Sequence, residues 1–404
     1  MNSYHFPFDP AKKCEDSIFF MKFTNREIET LYEYLSRMSR IAYKDQLLIS
    51  NIIFSKQESS AHILEAYVAG EAPQKVTFLI IIKKFVLYCI KNTLGLILFV
   101  VTAIFHKFSG QKFDVDKKDE LVLLDTYFIV TQILDKGGFK DIYFPGLSEY
   151  LKKTEKTYAS IPRWFGSKQP FKLLRIFRKL RKNQVPVLTP YQVLRFADYF
   201  KALKFLIIYP FSVFRFMKNL GSSYEDKLLV FALWSVFDDQ VVENYMRFLF
   251  GQRLSFLVPG RIKCVSWYEN VPAEKFFYLG LRTLPRKTEI IGAQLFVRPN
   301  TLMNIVPDKG EIPFKVVPDK ILVNGPGFRF DFDQVRVGIG PSLRYKYLFN
   351  STVSRAGEFI LVVMPYWDYL TNHLLDVVRE VDWPAPIKIK FHPTTDWEKF
   401  KTIL

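Results

Sequence analysis

The feature that most constrains the fold of this chain is a series of short apolar runs, separated by helical or loop segments, that begins near Asp119. The runs cover residues 121–130, 158–163, 185–188, 263–267, 289–293, 320–323, 334–337 and 359–364. Short apolar runs that alternate with helices are typical of parallel strands buried on both faces. The sequence therefore predicts an α/β fold built on parallel sheets of the doubly wound kind.

Polar and glycine-rich residues stand where several of these predicted strands end. Asp125 lies in or just after the first, Tyr268 and Asn270 follow the fourth, and Gln294 follows the fifth. A glycine-rich turn, 338–344, follows the seventh. Ligands of open α/β sheets bind outside the carboxyl ends of the strands, so we expect a crevice lined by these residues.

A further alternating run, 387–391, is followed directly by His392 and Pro393. Proline fixes the turn after the strand, so the imidazole projects in one direction toward a ligand site. The alternative is a strand that ends in an ordinary turn. The other predicted strand ends favour the ligand site.

Composition narrows the class of partner. The chain has 404 residues, 49% of them hydrophobic, which predicts two or three folded domains. A net charge of +17 indicates an anionic partner, which is nucleic acid, an acidic membrane or a phosphorylated substrate. Cys14, Cys89 and Cys264 lack metal-type spacing, and no cleavable signal is recognised, which favours the cytoplasm and excludes a cysteine-bound zinc.

Several enzyme classes lack their minimal motif in this sequence. We find no GxxxxGK[ST] phosphate loop, no HExxH and no G-x-S-x-G. These absences argue against P-loop nucleotide hydrolysis, zinc peptidase and α/β-hydrolase chemistry. The remaining histidines, His5, His62, His106 and His373, are isolated and are interpreted as structural or surface residues.

The region before residue 116 is predicted to be largely helical, and residues 76–106 form an apolar segment with a basic cluster. Lys84 and Lys91 fall almost on one line of a helix, and Lys83 lies beside them. The uncharged part, 92–105, is shorter than the ~20 apolar residues needed to span a bilayer. The pattern is typical of a helix that lies in a membrane interface. The alternative is a core helix whose lysines reach the surface.

Two later stretches mix basic and apolar residues in a similar way. Arg178 and Arg181 belong to the first, 173–182, and residues 203–217 form the second, with lysines and arginines at its flanks. Such segments suit anionic lipid head groups. Single-strand nucleic-acid binders need exposed aromatics on a groove, whereas the phenylalanines here lie in runs that look buried or lipid-facing. We therefore expect an anionic membrane surface and no nucleic acid.

Five motifs occur in a characteristic order: SWYEN at 266–270, IGAQ at 291–294, PDKILVNG at 318–325, VGIGPSLR at 337–344 and KFHP at 390–393. In this order the chain resembles bacterial surface-polysaccharide glycosyltransferases with two Rossmann domains, the GT-B type. It is similar to capsule and lipopolysaccharide transferases with a His-Pro motif, and more distantly to glycerophosphate polymerases of teichoic acid synthesis. The resemblance extends from about residue 121 to the end.

The resemblance implies three regions. Residues 1–115 are a helical region with a membrane-interface segment, 76–106; residues 116–350 are a Rossmann-like acceptor domain; residues 351–404 are part of a donor-nucleotide domain. A complete second domain continues beyond the His-Pro strand with further strands, whereas residues 359–393 supply only one strand-helix-strand unit. The sequence is therefore expected to be truncated at its carboxyl end.

Glycosyl transfer needs a base for the acceptor hydroxyl and positive charge for the departing phosphate. Glu269 is the first candidate base and Asp125 the second, although a carboxylate at a strand end is often a structural hydrogen-bond acceptor. Arg344 and the turn with Gly340 and Ser342 are candidate phosphate contacts. Arg344 is equally interpreted as the partner of a core carboxylate.

The resemblance assigns His392 and Pro393 to the phosphate of the donor nucleotide, often of a CMP-sugar. Tyr268, Asn270 and Gln294 are expected to line the acceptor side of the cleft. No metal is expected, because a clear Asp-x-Asp is absent. No tightly bound cofactor is predicted, and the donor, a CMP- or UDP-sugar, is a substrate.

The expected function is a glycosyltransferase, peripheral on the cytoplasmic face of the cell membrane, that extends a lipid-linked or growing surface glycan. The first alternative is a phosphotransferase that polymerises glycerol or ribitol phosphate. The second is a noncatalytic membrane scaffold that works with polysaccharide-assembly proteins. Binding of a donor nucleotide separates both enzymes from the scaffold.

Overall fold

The structure is a computed structural model, and it describes the following residues: 26, 29–38, 40–41, 78–110, 113–114, 119–135, 138–235, 240–284, 288–296, 305–330, 332, 334–345, 357–364, 368–391 and 397–401. These residues fall into two compact units, one within 26–345 and the other within 357–401.

The larger unit is built on a six-stranded sheet in which every neighbouring pair of strands is parallel. The strands are β1 (Glu120–Ile129), β2 (Tyr158–Phe165), β3 (Arg261–Trp267), β4 (Thr288–Gln294), β5 (Lys320–Val323) and β6 (Arg336–Ile339). Their spatial order is β2-β1-β3-β4-β5-β6. The interior strand β1 is buried along most of its length, as expected for a parallel strand covered on both faces.

The predicted strand 185–188 pairs with the sheet at a single position. Val187 forms an isolated parallel bridge with Ser160 on the outer side of β2. With Val187 counted as an edge, β2 and then this edge are added on one side of β1. The chain then crosses to the other side of β1 and adds β3 to β6 in order, which is the Rossmann pattern. The structure therefore confirms an α/β unit with a parallel sheet that is compatible with a Rossmann-like fold.

Helices connect and cover these strands. They are α1 (Phe78–Ser109), α2 (Val130–Asp135), α3 (Leu147–Lys153), α4 (Pro170–Lys182), α5 (Pro190–Val193), α6 (Phe196–Lys218), α7 (Tyr224–Ser235), α8 (Gln240–Leu257) and α9 (Pro272–Leu281). Short 3₁₀ turns occur at Lys309–Phe314, Pro326–Phe328 and Leu343–Tyr345. Residues 29–38, in the region predicted to be largely helical, are also helical.

Helix α4 covers the edge of the sheet with an apolar stripe at helical spacing. Leu173, Ile176, Phe177 and Leu180 are buried in one cluster with Phe128 of β1. The basic residues occupy the opposite side, where Arg178 is exposed. These four side chains therefore belong to the core, and the contact expected between the basic residues of 173–182 and anionic lipid head groups stays a prediction.

One helix among the described residues, Leu79–Ser109, is long and apolar enough to cross a membrane by length and composition. Only 17% of its most apolar window is buried. The helix is continuous through the lysine cluster, so the apolar segment is longer than the uncharged part 92–105 suggests. This helix is compatible with membrane association.

The smaller unit contains a two-stranded parallel sheet of β7 (Ile360–Val363) and β8 (Ile387–Lys390), joined through α10 (Asp368–Glu380). A 3₁₀ turn follows at Trp397–Phe400. Met364, Leu375 and Phe400 form its buried cluster. This strand-helix-strand arrangement agrees with the unit predicted for residues 359–393.

Helices α8 and α9 approach closely because glycines face each other. A Cβ atom on Gly280 would lie 2.2 Å from the carbonyl oxygen of Phe248, and one on Gly251 would lie 2.6 Å from that of Phe277. Both distances are far below van der Waals contact, and both obstacles are backbone atoms. Neither glycine therefore tolerates a side chain without separation of the two helices.

We expect Gly280→Ala to lower the free energy of unfolding by about 1–3 kcal/mol, because the added methyl group forces α8 and α9 apart. Chemical denaturation followed by circular dichroism measures the change. Gly327→Ala is the matched control, since a Cβ atom there meets nothing within 4 Å. Equal stability of the two variants would contradict the close helix contact.

Candidate functional site

The chain reverses its direction of winding between β1 and β3. It leaves β1 toward β2 on one side and later enters β3 on the other side of β1. Loops that follow such neighbouring strands diverge, so the crevice of an open α/β sheet is expected at their carboxyl ends. Tyr127, Trp267 and Glu269 come from these two strand ends.

Beneath this crevice lies a buried ion cluster centred on Asp125. Arg163 of β2 donates to its carboxylate at 2.5 and 3.1 Å, and Arg247 of α8 donates to both oxygens at 2.9 Å. Ser266 of β3 donates a further hydrogen bond at 2.9 Å. Burial by itself would raise the pKa of Asp125, but the two guanidinium charges and their hydrogen bonds lower it to about 2.

Asp125 is therefore wrong as a candidate base. Its side chain has no exposed surface, and its oxygens are occupied by two guanidiniums and a hydroxyl. A base must reach the acceptor hydroxyl and attract its proton, and a buried carboxylate with a pKa of about 2 does neither. The sequence shows which strand carries Asp125, but it does not show how deeply the side chain is buried.

Glu274 extends the ion cluster to α9. Its Oε1 accepts a hydrogen bond of 2.7 Å from Arg163, and its carboxylate also accepts the backbone N–H groups of Glu269, at 3.0 and 3.1 Å, and of Val271, at 3.2 Å. Burial raises the pKa of Glu274 to about 7, against the effect of Arg163 and with a further rise from Glu269. Glu274 thereby fixes both the start of α9 and the backbone of Glu269.

Glu269 is the carboxylate that reaches the crevice. It is partly exposed, and its Oε1 accepts a 2.8 Å hydrogen bond from the indole Nε1 of Trp267. The ring of Tyr143 lies edge-on to Trp267 at 4.7 Å, and Tyr127 lies 5.2 Å from Tyr143. An aromatic wall therefore stands directly beside this carboxylate.

Arg344 lies against the same wall. Its Cζ atom is 5.2 Å from the ring centre of Tyr143 and 5.6 Å from that of Trp267. Within the described residues its contacts are with these rings, and no ion pair of Arg344 with a core carboxylate is found there. Trp267 thus carries a carboxylate at its N–H edge and a guanidinium over its ring.

The residues expected on the acceptor side of the cleft lie in the interior. Tyr268, Asn270 and Gln294 are all buried. The hydroxyl of Tyr268 donates to Oδ1 of Asn270 at 2.9 Å, and Nε2 of Gln294 donates to the carbonyl oxygen of Ile305 at 2.7 Å. Their predicted contact with an acceptor is not supported, because their polar groups support the loops behind the crevice.

Polar groups of the glycine-rich turn after β6 also form hydrogen bonds within the protein. The N–H of Gly340 donates to the carbonyl oxygen of Val323 at 2.9 Å, and Ser342 donates its hydroxyl proton to Oδ1 of Asn324 at 2.6 Å. A Cβ atom at Gly340 would lie 2.9 Å from Cβ of Leu322. Gly340 therefore permits close packing of the turn, and its amide is not available to a phosphate.

The remaining predicted residues are distributed as follows. His392 and Pro393 lie outside the described residues. Lys83 and Lys91 are exposed on α1, and Lys84 is half-buried there. Arg181, predicted to contact the membrane, is exposed and donates to the carbonyl oxygen of Ser109 at 3.3 Å, which helps to close the end of α1.

Sequence reasoning missed the positively charged members of the ion cluster and its second carboxylate. Arg163 offered a signal, since an arginine inside an apolar strand needs a buried partner. Glu274 also offered one, as an acidic residue two positions after Pro272 at a helix start. Arg247 and Tyr143 had no comparable signal, because each reaches the site only through the tertiary fold.

Within the described residues, no group of three or more His, Cys, Asp or Glu side chains is placed to bind a metal ion. The chain was compared with protein-family models, with curated proteins and with solved structures, and none of them matches.

We expect Asp125→Asn to lower the free energy of unfolding by about 3–5 kcal/mol, because two buried guanidiniums lose their counter-charge. Urea denaturation at neutral pH measures the loss. Glu120→Gln is the matched control on the same strand, since its partner Lys156 is largely exposed and such pairs contribute only about 0–1 kcal/mol. A loss for Asp125→Asn no larger than the control's would contradict the buried cluster.

A raised pKa of Glu274 gives stability a defined pH dependence. Between its ordinary pKa of 4.5 and about 7, the folded chain binds more protons than the unfolded chain. The free energy of unfolding therefore falls as pH rises through this window, by on the order of 3 kcal/mol from this group. We expect denaturation between pH 4.5 and 7.5 to show this fall in the wild type and not in Glu274→Gln. Parallel pH profiles would contradict it.

Proposed function

We propose that this chain is a glycosyltransferase of the GT-B kind that adds a nucleotide-activated sugar to a lipid-linked or growing surface polysaccharide. The observation that supports this best is the arrangement on Trp267, at the switch point of a Rossmann-like sheet. Glu269 lies 2.8 Å from the indole N–H, and Arg344 lies over the indole ring. The carboxylate of Glu269, which can accept a proton, and the guanidinium cation of Arg344 therefore both contact the side chain of Trp267.

Glycosyl transfer uses both groups in the same step. Glu269 takes the proton of the acceptor hydroxyl as that oxygen bonds to the anomeric carbon of the donor sugar. Arg344 offsets the negative charge that develops on the departing nucleotide phosphate. The partly exposed ring of Tyr143 suits the apolar face of a sugar ring or a nucleobase, whereas Trp267 is buried behind it.

Glu269 is well placed for this role because its surroundings are rigid. Glu274 accepts two hydrogen bonds from the backbone N–H of Glu269, and Arg163 anchors Glu274. A base whose backbone is fixed needs little reorganisation when the reaction begins. The buried ion cluster is thus a support for the base and does not take part in the chemistry.

The second Rossmann domain of this proposal rests on the resemblance of the KFHP motif. His392 is proposed to bind the donor phosphate, with Pro393 fixing its direction. The donor is proposed to be a CMP- or UDP-sugar, and the enzyme to act in capsule or lipopolysaccharide synthesis. Its location is proposed to be peripheral on the cytoplasmic face of the cell membrane, supported by the weakly buried apolar helix α1.

A phosphotransferase that polymerises glycerol or ribitol phosphate is the second candidate. It is favoured by the same observation, since Arg344 and Glu269 also suit transfer of a phosphate group to a hydroxyl. The two enzymes differ in the donor, because the phosphotransferase uses a CDP-alcohol and releases CMP. A noncatalytic scaffold binds neither donor.

Calorimetric titration of the chain with CMP, CDP and UDP tests the proposal. We expect one of the three to bind, and Arg344→Ala to weaken that binding about tenfold or more through loss of a charge-assisted contact. Arg336→Ala is the matched control, since Arg336 is exposed at the opposite end of β6. Comparison with His392→Ala tests the role assigned to the His-Pro motif.

Glu269→Gln separates catalysis from binding when the calorimetric titration is combined with an assay of sugar transfer from the donor. The amide keeps the shape of the side chain but cannot take a proton, so we expect nucleotide affinity to stay unchanged and sugar transfer to fall about a hundredfold or more. Glu289→Gln is its control, because Glu289 lies near the amino end of β4, whereas Glu269 follows the carboxyl end of the neighbouring strand β3. Absence of nucleotide binding by the wild type would overturn both enzyme proposals and favour the scaffold.

A further inference from the structure

Helices α1 and α6 lie side by side and run in opposite directions. The hydroxyl of Tyr88 donates to the carbonyl oxygen of Leu206 at 2.8 Å. Eleven residues further along α1, the ring of Phe99 lies 6.3 Å from that of Tyr199, which precedes Leu206. The contacts thus advance along one helix as they go back along the other, as in an antiparallel pair.

Each of these helices exposes a row of large apolar side chains at helical spacing. We define the α1–α6 face as Ile90, Leu94 and Ile97 on α1 together with Phe200, Leu203, Ile207 and Phe211 on α6. Between 40% and 65% of each of these side chains is exposed. Large exposed apolar side chains that recur along two adjacent helices mark a surface that an apolar partner covers.

The opposite side of α1 is attached to the α/β unit at several points. Oδ1 of Asn92 accepts the backbone N–H of Val242 in α8 at 3.0 Å, and the ring of Phe105 lies 4.9 Å from that of Phe171 in α4. Tyr88, Leu96 and Ala103 are buried on this side. Because these contacts extend along the helix, α1 cannot pass through a bilayer without leaving the unit.

Basic side chains stand beside the apolar rows. Lys83 and Lys91 are exposed on α1, and Lys201, Lys204, Arg215 and Lys218 are exposed on α6. On α6, Lys204 and Arg215 follow the apolar row on its side away from α1, about 60–80° around the helix. An apolar stripe with a basic flank is complementary to the acyl chains and anionic head groups of one membrane leaflet.

Helix α8 relates the α1–α6 face to the crevice. Its carboxyl end leads to Gly260 and Arg261, beside Asp119 at the amino edge of the sheet. Arg247, further back along the helix, reaches Asp125. The first turn of α8, where Asn92 binds Val242, therefore lies toward the carboxyl edge of the sheet, and so does the middle of α1.

We propose that the α1–α6 face docks on one leaflet of an anionic bilayer, so that the protein is monotopic and its crevice opens toward the membrane surface. The two helices lie in the leaflet as a pair. Neither helix crosses the bilayer.

The docking itself does not depend on the chemistry of the crevice. One consequence of the docking rests on the proposed function, namely the route by which the acceptor arrives. A lipid-anchored glycan reaches Glu269 from the leaflet in which its anchor is embedded. Vesicle binding is measured without nucleotide, so its failure and a failure of nucleotide binding are separate results.

Co-sedimentation of the full chain with phosphatidylcholine vesicles, with and without phosphatidylglycerol, tests the docking. We expect binding to be strongest with phosphatidylglycerol and to weaken in high salt. The double variant Ile97→Ser, Ile207→Ser is expected to bind about tenfold more weakly, because both rows lose apolar area. The double variant Tyr150→Ser, Phe256→Ser is the matched control, with similarly exposed side chains elsewhere, and is expected to bind as the wild type does.

Thermal unfolding of both double variants verifies that each is folded. Equal vesicle binding by the two double variants would overturn the proposal, as would no binding by the wild type. Light scattering after gel filtration tests whether a second copy of the chain, and not a bilayer, covers the α1–α6 face. A dimer that Ile97→Ser, Ile207→Ser converts to a monomer, together with no vesicle binding, would overturn the bilayer as the partner.

Labelling with a membrane-impermeant maleimide tests whether α1 crosses the bilayer. Two proteins are made, and both carry Cys14→Ser and Cys89→Ser. One also carries Lys83→Cys and the other Lys107→Cys, and each is bound to preformed vesicles. Both positions are exposed, and they lie ~36 Å apart along the helix, more than the ~30 Å hydrocarbon thickness. Labelling of both from outside supports the monotopic arrangement, and protection of one until detergent is added overturns it.

Discussion

The ion cluster of Asp125, Arg163 and Arg247 is the constraint on which the rest of the larger unit depends. It ties β1 to its neighbour β2 and to α8, and through Glu274 to α9. Removal of charges from water is costly, so such a cluster is stable only when every member is paired and hydrogen-bonded. The pairing requires the sheet and both helices to be in register with one another. The close glycine contact between α8 and α9 meets the same requirement.

The crevice above this cluster is a consequence of that arrangement. Glu274 orients the loop between β3 and α9, and that loop presents Glu269 to solvent beside Trp267. Arg344 arrives from beyond β6 and lies on the aromatic wall. A carboxylate and a guanidinium are thus both held on the side chain of Trp267. Such an arrangement suits a reaction in which a proton and a phosphate charge must be handled together.

Helix α8 links the two parts of the unit that are relevant to function. Its first turn is bonded to α1, and Arg247 on a later turn is bonded to Asp125. A chain with these contacts keeps its apolar face and its crevice in a fixed relation. In the proposed function, this relation would keep the hydroxyl of a lipid-linked acceptor close to the leaflet.

The sequence by itself determined the class of fold and most of its strands. The run 320–323 was predicted with the bounds that the structure shows, because a short run of branched apolar residues between turn residues is readable locally. It also selected Glu269 and Arg344, which the structure brings to the same tryptophan side chain and whose role in catalysis stays a prediction. Only the tertiary structure decided that Asp125, Tyr268, Asn270 and Gln294 are interior residues and that Gly340 serves packing. The reason is physical: a residue's depth at a strand end depends on partners remote in sequence, and Arg247 lies 122 residues from the carboxylate it neutralises.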